Sequence, residues 1–502
     1  MAPGNWLSKT VTRIQETASA PGVSPSADHH CDVLVVGTGP SGMAATAAAA
    51  AAGAEVHVIE ALDEIGGNSV WSTGYMAFVN SRAQQEAGIE DSVDAFISDA
   101  EASIDLLRDH YPVITDPGLL RLFAQHSAET YDILVGRGVR FSRFIPRPLQ
   151  HRTTRMLAVE DMMGFRRAFE PEFSRPNVRL FTRTIADRLV SEDGRVTGLV
   201  ARGADGGTLR WNVRKGVVLA SGGYQSNPEL RARHVPGYLA RAPYLGIDTC
   251  RGDAHLMAGA IGADLINMGL VLPLVIVSSS FVEDCIAVNR DGRRFHDEAG
   301  PYERRVEALQ AQPDRCAFYI VDDETRQAKA QLLAQMPEPP VSAPDLGRLA
   351  VTIGVDPGEL QTSVAEWNEF LAGTSDKDSR FGRVVLPGGR RQIVKPPFHA
   401  VPMVVGSNFV SGGMRVNDAL QVMDVFGDPI AGLYTAGDAA GGFNPTAELG
   451  GMRLSGGFTL GRLAGEAAAE GRSGHVREGT APKGAHMPSM IGSRIALQDV
   501  RD

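Results

Sequence analysis

The apolar run Cys31–Val36 stops at Gly37 and opens into Gly37-Thr38-Gly39-Pro40-Ser41-Gly42, followed by an alanine stretch from Ala44 to Ala52 broken only by Thr46. A β-branched run, a glycine turn and a small-residue helix in that order restrict the fold more than any other feature of the chain. Gly37 permits the tight turn, Gly39 lets backbone approach a pyrophosphate, and Gly42 lets the helix pack closely on the strand. The unpaired amides at the start of the helix face the anion. Gly53 stops the helix, and Glu55 to Ile59 reads as a second strand ending in Glu60. There a carboxylate can accept the hydroxyls of an adenosine ribose and repel a 2′-phosphate. The complete βαβ unit predicts an α/β, doubly wound (Rossmann-like) dinucleotide-binding domain.

Length and composition set the rest of the frame. At about 150 residues per domain, 502 residues exceed one minimal core and suggest about three domains or two large ones. Glycine supplies 56 positions, well above its usual share of about 7%, and shows no collagen period. The excess asks for many close backbone approaches. A net charge of −10 argues against a nucleic-acid partner. Cysteines 31, 250, 285 and 316 are far apart, which leaves no ligand set for a structural zinc, an iron–sulfur cluster or an attached haem, and no metal is expected. The first thirty residues lack the apolar core of a signal peptide, and the longest apolar runs fall short of the roughly 20 residues a membrane span needs. The expectation is a cytoplasmic chain with no membrane span, with its oligomeric state open.

Residues 88 to 145 read as mainly helical, and 178 to 223 as short strands and turns. Between 245 and 385 charge rises and no second dinucleotide fingerprint occurs, after which glycine returns from 387. This pattern reads as an insertion splitting one domain.

Beyond Glu60 the chain continues Ala61-Leu62-Asp63-Glu64-Ile65-Gly66-Gly67-Asn68-Ser69 and then Ser72-Thr73-Gly74. Further on come Val218 to Gly223, Arg251-Gly252-Asp253-Ala254 and Gly432 to Asp438. These segments resemble the FAD-dependent succinate dehydrogenase and fumarate reductase flavoprotein superfamily, nearest to its bacterial ketosteroid-dehydrogenase and tricarballylate-dehydrogenase-like branches. The resemblance covers about 30–83, 178–305 and 392–470. It implies a Rossmann-like FAD-binding domain interrupted by an α+β capping domain, with substrate held at their interface. The segments are then a flexible 1–29, a first FAD-binding part 30–245, a cap 246–385, a second FAD-binding part 386–475 and a tail 476–502. The FAD contacts implied are Gly37, Gly39, Pro40, Ser41, Gly42, Glu60, Ala61, Gly66, Gly67, Asn68, Ser69, Ser72, Thr73 and Gly74, then Ala186, Ala220, Gly222, Gly223, Gly437, Asp438, Leu454 and Ser455. Some relatives attach FAD through a histidine just after the paired glycines. This chain has Asn68 and Ser69 there, so noncovalent FAD is implied.

A flavin enzyme of this kind moves hydride while a side chain handles the proton on the neighbouring carbon. The segment Asn289 to Glu298 resembles the family's Gly-x-Arg-Phe-x-Asn-Glu stretch, with Arg294 as its arginine. Four residues beyond Glu298, where fumarate-reducing relatives carry a proton-donating arginine, stands Tyr302. A tyrosine there looks like the ketosteroid branch, where a phenolate takes a proton from carbon. His399 occupies the place of a carbonyl-polarising tyrosine, and histidine can serve either as acid or as electrophile. Arg453 points the other way, because its segment resembles the arginine that clamps a substrate carboxylate. The leading expectation is dehydrogenation of a CH–CH bond beside a carbonyl, or the reverse reduction, with a ketosteroid-like substrate. The alternatives are a fumarate-reductase-like enzyme of a small carboxylic acid and a non-catalytic flavin-binding protein. One fingerprint implies a separate electron acceptor or donor.

Overall fold

The computed structural model describes residues 27–474 apart from 73, 109–112, 147–150, 236, 277–278, 301, 335, 337 and 444–448. Its frame is an eight-stranded sheet that runs Gln421–Met423, Pro429–Thr435, Arg195–Arg202, Thr208–Leu219, Ala27–Val36, Val56–Ile59, Val178–Phe181, with Ile185–Glu192 paired on Arg195–Arg202. The strands Ala27–Val36 (β1) and Val56–Ile59 (β2) are parallel with Val33 opposite Val56, and β1 runs parallel to Thr208–Leu219 on its other side. From Val33 to Val36 both faces of β1 are buried, which is why this part of the strand reads as a continuous apolar run rather than an alternating one. The expected doubly wound α/β fold is what the chain adopts.

The helix Pro40–Ala51 (α1) starts directly from the glycine turn, with Gly39 as its cap and Pro40 in its first position. It packs against Met452–Glu470, and the contact explains part of the glycine excess. On the longer helix Gly457, Gly461 and Gly465 stand at successive intervals of four, so they share one face. A Cβ at Gly461 would overlap the backbone of Ser41, and one at Gly465 the backbone of Ala45. Exchanging Gly461 for alanine should therefore destabilise the protein. Alanine recovers about 1 kcal/mol of helix propensity, but forcing a methyl into fixed backbone costs about 1–3 kcal/mol. A thermal melt of the flavin-loaded protein should show the G461A midpoint lower by a few degrees; a raised midpoint would mean that the two helices are free to separate.

A second layer forms the cap. Ile286–Asn289, Ala317–Asp322, Phe398–Pro402 and Val341–Ala343 make a four-stranded antiparallel sheet, covered by Leu346–Ile353 and Pro357–Ala372 through Trp367, Leu360 and Val364. Two boundaries differ from the sequence reading. Phe398–Pro402 lies beyond 385 yet is bonded on both sides within the cap sheet. The helix Asp253–Gly259, expected at the start of the cap, buries Ala254, Met257 and Ala258 against Leu34, Leu199 and Leu433 of the main sheet. Likewise β1 begins at Ala27 rather than Cys31, because its first residues pair with Leu209 to Val213. Phe141–Ile145, inside the stretch expected to be helical, is a strand held by Met156–Val159.

Candidate functional site

Where the carboxyl ends of the main strands meet the cap, a cavity of about 340 Å³ opens, the place at which open α/β sheets bind ligands. The glycine turn forms one wall. Gly37 has φ of 96° and its carbonyl lies where a Gly42 side chain would be, so both glycines are required by the protein's own backbone. Gly39 differs from them. Its φ is −63°, which any residue adopts, and a Cβ built there meets no protein atom within 4 Å. Its missing side chain leaves open exactly the space beside the cavity, as a cradle for a pyrophosphate does. The amides of α1 point the same way, since no side chain caps the helix.

Glu60, buried at the end of β2, accepts hydrogen bonds from the Thr38 amide at 2.8 Å, the Thr38 hydroxyl at 2.5 Å and the Leu62 amide at 2.9 Å. These bonds fix its carboxylate at the cavity wall beside Ala61, Ala186 and Thr184. This donor and acceptor pattern fits an adenosine diphosphate end, and FAD therefore suits the residues present.

Further along, the Asn68 amide donates to the Tyr244 hydroxyl at 3.0 Å and to Cys250 Sγ at 3.2 Å, and its carbonyl accepts from the Ile247 amide at 3.0 Å. Burial pushes the Cys250 thiol up to about 11 and raises the Tyr244 phenol well above its usual range, so both are neutral groups. On the opposite wall Gly437, with φ of 74°, leads to Asp438, whose carboxylate holds Arg453 at 2.9 Å. Arg453 also donates to Ser411 Oγ at 3.1 Å and to the Val410 carbonyl at 3.2 Å. The neighbouring Gly450 carbonyl accepts from His151 Nε2 at 3.0 Å. His151 is buried, and the Arg155 guanidinium beside its other nitrogen is itself bound by Asp91 and Asp99. The cap closes the remaining side with Leu274, Arg305, Leu332 and Met336.

Most of the residues the sequence pointed to are brought together here: Gly37, Gly39, Pro40, Ser41, Glu60, Ala61, Gly67, Asn68, Ser69, Ser72, Ala186, Ala220, Gly222, Gly437, Asp438, Arg453 and Leu454 line the cavity. Gly42, Gly66, Gly74, Gly223 and Ser455 stand behind the wall. Gly66 and Gly74 are held in turns with φ of 121° and 71°, Gly223 makes room for Gln225 and Val410, and Ser455 donates to the Gly451 carbonyl. Thr73 lies outside the described residues.

Two of the four chemical candidates sit elsewhere. Arg294 is buried inside the cap, bidentate on Glu298 at 2.8 and 2.9 Å and stacked on Trp367. Arg383 binds the same carboxylate, and together these charges hold Glu298 far below the usual carboxylate range despite its burial. His399 lies in the cap sheet between Ser342 Oγ at 2.7 Å and Asp323 Oδ1 at 3.3 Å, and it does not line the cavity. Both placements have one cause: each residue is engaged by partners within the cap, Glu298 and Trp367 for Arg294, Ser342 and Asp323 for His399. Tyr302 opens the helix Tyr302–Gln310, and its side chain lies outside the described residues. The sequence reading gave no role to Tyr75, Tyr244 and Cys250, which belong to no motif, or to Thr38 inside the glycine turn; Arg304 or Arg305 was read only as a cationic neighbour of Tyr302.

Four of the buried histidines give the described fold a pH signature. Desolvation lowers His57, His151, His255 and His296 to about 4 each. They stay neutral in the folded chain but take a proton on unfolding below about pH 6.5. Their contribution is therefore present above that pH and is lost as pH falls toward 4, at about 1.4 kcal/mol per pH unit for each group. Denaturant midpoints across pH 7 to 4 should fall steeply, and H57Q should flatten the fall by about one proton; an unchanged slope in H57Q would mean that His57 is already protonated in the folded chain.

The family model described as FAD binding domain matches residues 32–454. A probable fumarate reductase of Shewanella frigidimarina is 30% identical over 455 residues, spanning 87% of this chain and 74% of the relative. Among solved structures, a flavocytochrome c3 fumarate reductase in its open conformation superposes with a TM-score of 0.69 at 27% identity, over 89% of this chain and 79% of that one. A 3-ketosteroid-Δ4-(5α)-dehydrogenase of Rhodococcus jostii RHA1, bound to 4-androstene-3,17-dione, superposes at 0.64 and 26% identity, over 88% and 97%.

Proposed function

Because the chain belongs to the FAD-binding fumarate reductase and succinate dehydrogenase flavoprotein superfamily, we propose that it is an FAD-dependent oxidoreductase acting on the carbon–carbon bond next to the carboxylate of a small organic acid. When bound, FAD supplies reversible hydride exchange with a substrate carbon. The protein supplies the grip and the orientation. Gly39 and the amides of α1 take the pyrophosphate, and Glu60 takes the ribose hydroxyls. The cofactor is held without a covalent bond, since Asn68 replaces the attaching histidine and the Cys250 thiol is neutral and already engaged. Acid precipitation should accordingly release all the flavin into solution; flavin left in the pellet would show attachment.

Arg453 carries the substrate reading. Its guanidinium stands at the cavity wall with Asp438, Ser411 and Val410 fixing its plane, an arrangement that orients a carboxylate and so places the adjacent carbons. A second guanidinium, Arg305, reaches the same cavity from the cap and is tied to the Gly300 carbonyl at 2.8 Å. Glu60, Asp253 and Asp438 line the same cavity, so the preference for a small acid over a neutral steroid rests on the two guanidinium groups as carboxylate hydrogen-bond donors and not on net charge. His399, on which carbonyl polarisation was to rest, is not in that cavity, and the balance moves from the ketosteroid-like substrate to the small acid. Leu274, Leu332 and Met336 exclude water from the same side. Electrons reach the site from an external carrier.

Anaerobic oxidation of reduced methyl viologen tests this reading, with fumarate and 4-androstene-3,17-dione as alternative probes. Fumarate should drive the oxidation and the steroid should not. A response to the steroid alone would restore the ketone reading. Silence with both probes from a protein that holds FAD would leave a non-catalytic flavin carrier.

A further inference from the structure

We propose that Tyr75 and Glu283 form the proton path between the cavity and solvent, with Tyr75 as the catalytic residue that exchanges a proton with the substrate carbon. The proposal rests on the oxidoreductase reading above and deepens it. Tyr75 opens the short strand Tyr75–Ala77, which is paired on Met156–Val159 with Tyr75 opposite Ala158. Tyr75 lines the cavity, whose wall also includes Met156 and the cap residues Arg305 and Leu332. Its hydroxyl donates to Glu283 Oε1.

Glu283 comes from the cap, directly after the helix Ser279–Val282. Its side chain is 5% exposed, yet its second oxygen accepts from Arg143, a guanidinium that is 45% exposed. Arg383 fixes the backbone at this point by donating to the Glu283 carbonyl at 2.6 Å. A phenol on the cavity, a buried carboxylate behind it and a half-exposed guanidinium beyond that form one continuous line to the surface. A phenol alone ordinarily titrates near 10 and is a weak base at neutral pH. Bonded to a carboxylate it can pass its own proton on as it receives another, which removes that obstacle.

In the oxidising direction the substrate α-C–H bond breaks and its proton goes to the Tyr75 oxygen, while the Tyr75 O–H proton passes to Glu283. The electron pair of the α-C–H bond forms the new carbon–carbon π bond as the β-C–H bond leaves as hydride to oxidised flavin. Glu283 then releases one proton to water at the Arg143 edge. In the reducing direction the same proton enters at Glu283, Tyr75 protonates the α-carbon, and reduced flavin is the source of hydride. Each cycle moves one proton along this line, while two electrons pass as hydride between the substrate carbon and the flavin. A bond between the two domains that served packing alone would hold the cap shut with no part in that transfer.

Y75F and E283Q, each loaded with FAD, separate these roles. Binding of fumarate to the oxidised protein, read from the perturbation of flavin absorbance, should stay within about threefold of the parent. Reoxidation of the reduced protein by fumarate should slow by about 10²-fold or more in Y75F. It should slow in E283Q as well, with a solvent deuterium isotope effect at least as large as that of the parent, because proton delivery is then the limiting step; a slowed variant whose isotope effect has vanished would overturn the proton path. If Y75F does not retain FAD, E283Q decides, because it keeps the phenol and the shape of the side chain. A parent that fumarate does not reoxidise would overturn the activity reading and this proposal with it. A reactive parent matched by an equally fast Y75F or E283Q would overturn the proton path alone. So would a parallel loss of fumarate binding and rate, which marks a clamp.

Discussion

Replacing Gly39 with valine is expected to yield a folded protein that has lost FAD. The backbone at Gly39 is in a region open to every residue, and no protein atom lies within 4 Å of the added Cβ. The fold therefore tolerates the substitution, whereas the pyrophosphate would have to share its space. Isothermal titration of the apoprotein with FAD should show affinity reduced by about 10³-fold or more, equivalent to about 4 kcal/mol. The melting temperature of the apo form should stay near that of the parent apoprotein. The paired control is G42V, where the added side chain overlaps the Gly37 carbonyl and separates α1 from β1. That variant should lose stability before any question of flavin arises. If G39V bound FAD as tightly as the parent, the glycine turn would not be the pyrophosphate site.

Arg453 should give the larger kinetic effect. Lysine in its place keeps the charge but loses the planar fork and its divided contacts with Asp438, Ser411 and Val410. A small acid then binds without a fixed orientation, and the reacting carbon drifts from its attack geometry. The expected outcome for R453K is a fall of about 10²–10³ in kcat/KM with fumarate, with FAD content unchanged. A fall confined to FAD binding would instead make Arg453 a cofactor residue, and Asp438 would be its partner in that task.

The two halves of the site were unequally legible in the sequence. Gly37 to Gly42, Glu60 and the Gly66-Gly67-Asn68 turn act within about thirty residues of one another, so spacing alone carries their geometry. The same locality made the doubly wound sheet readable from β1, α1 and β2. The cap side depends on contacts between segments far apart in the chain. Tyr75 meets Glu283 across 208 residues, and His399 is turned toward Ser342 by a strand pairing that no local pattern announces. Arg294 shows the same limit in part: its bidentate partner Glu298 is local, but Asp378, which binds the same guanidinium, and Arg383, which binds the same carboxylate, come some eighty residues on. The glycine excess was readable as a demand for close approach, but not as a demand of two kinds. Gly39 leaves room for a ligand, while Gly42, Gly461 and Gly465 leave room for the protein's own helices.

A single-turnover experiment on the flavin-loaded protein tests the reduction of a small unsaturated acid most directly. The protein is reduced anaerobically, mixed with fumarate or with a second small unsaturated acid such as acrylate, and followed by flavin absorbance. The oxidised spectrum should return, with one acid consumed per flavin and the saturated acid as product. A flavin that remains reduced in the presence of both acids, in a protein that holds one FAD per chain, would contradict it.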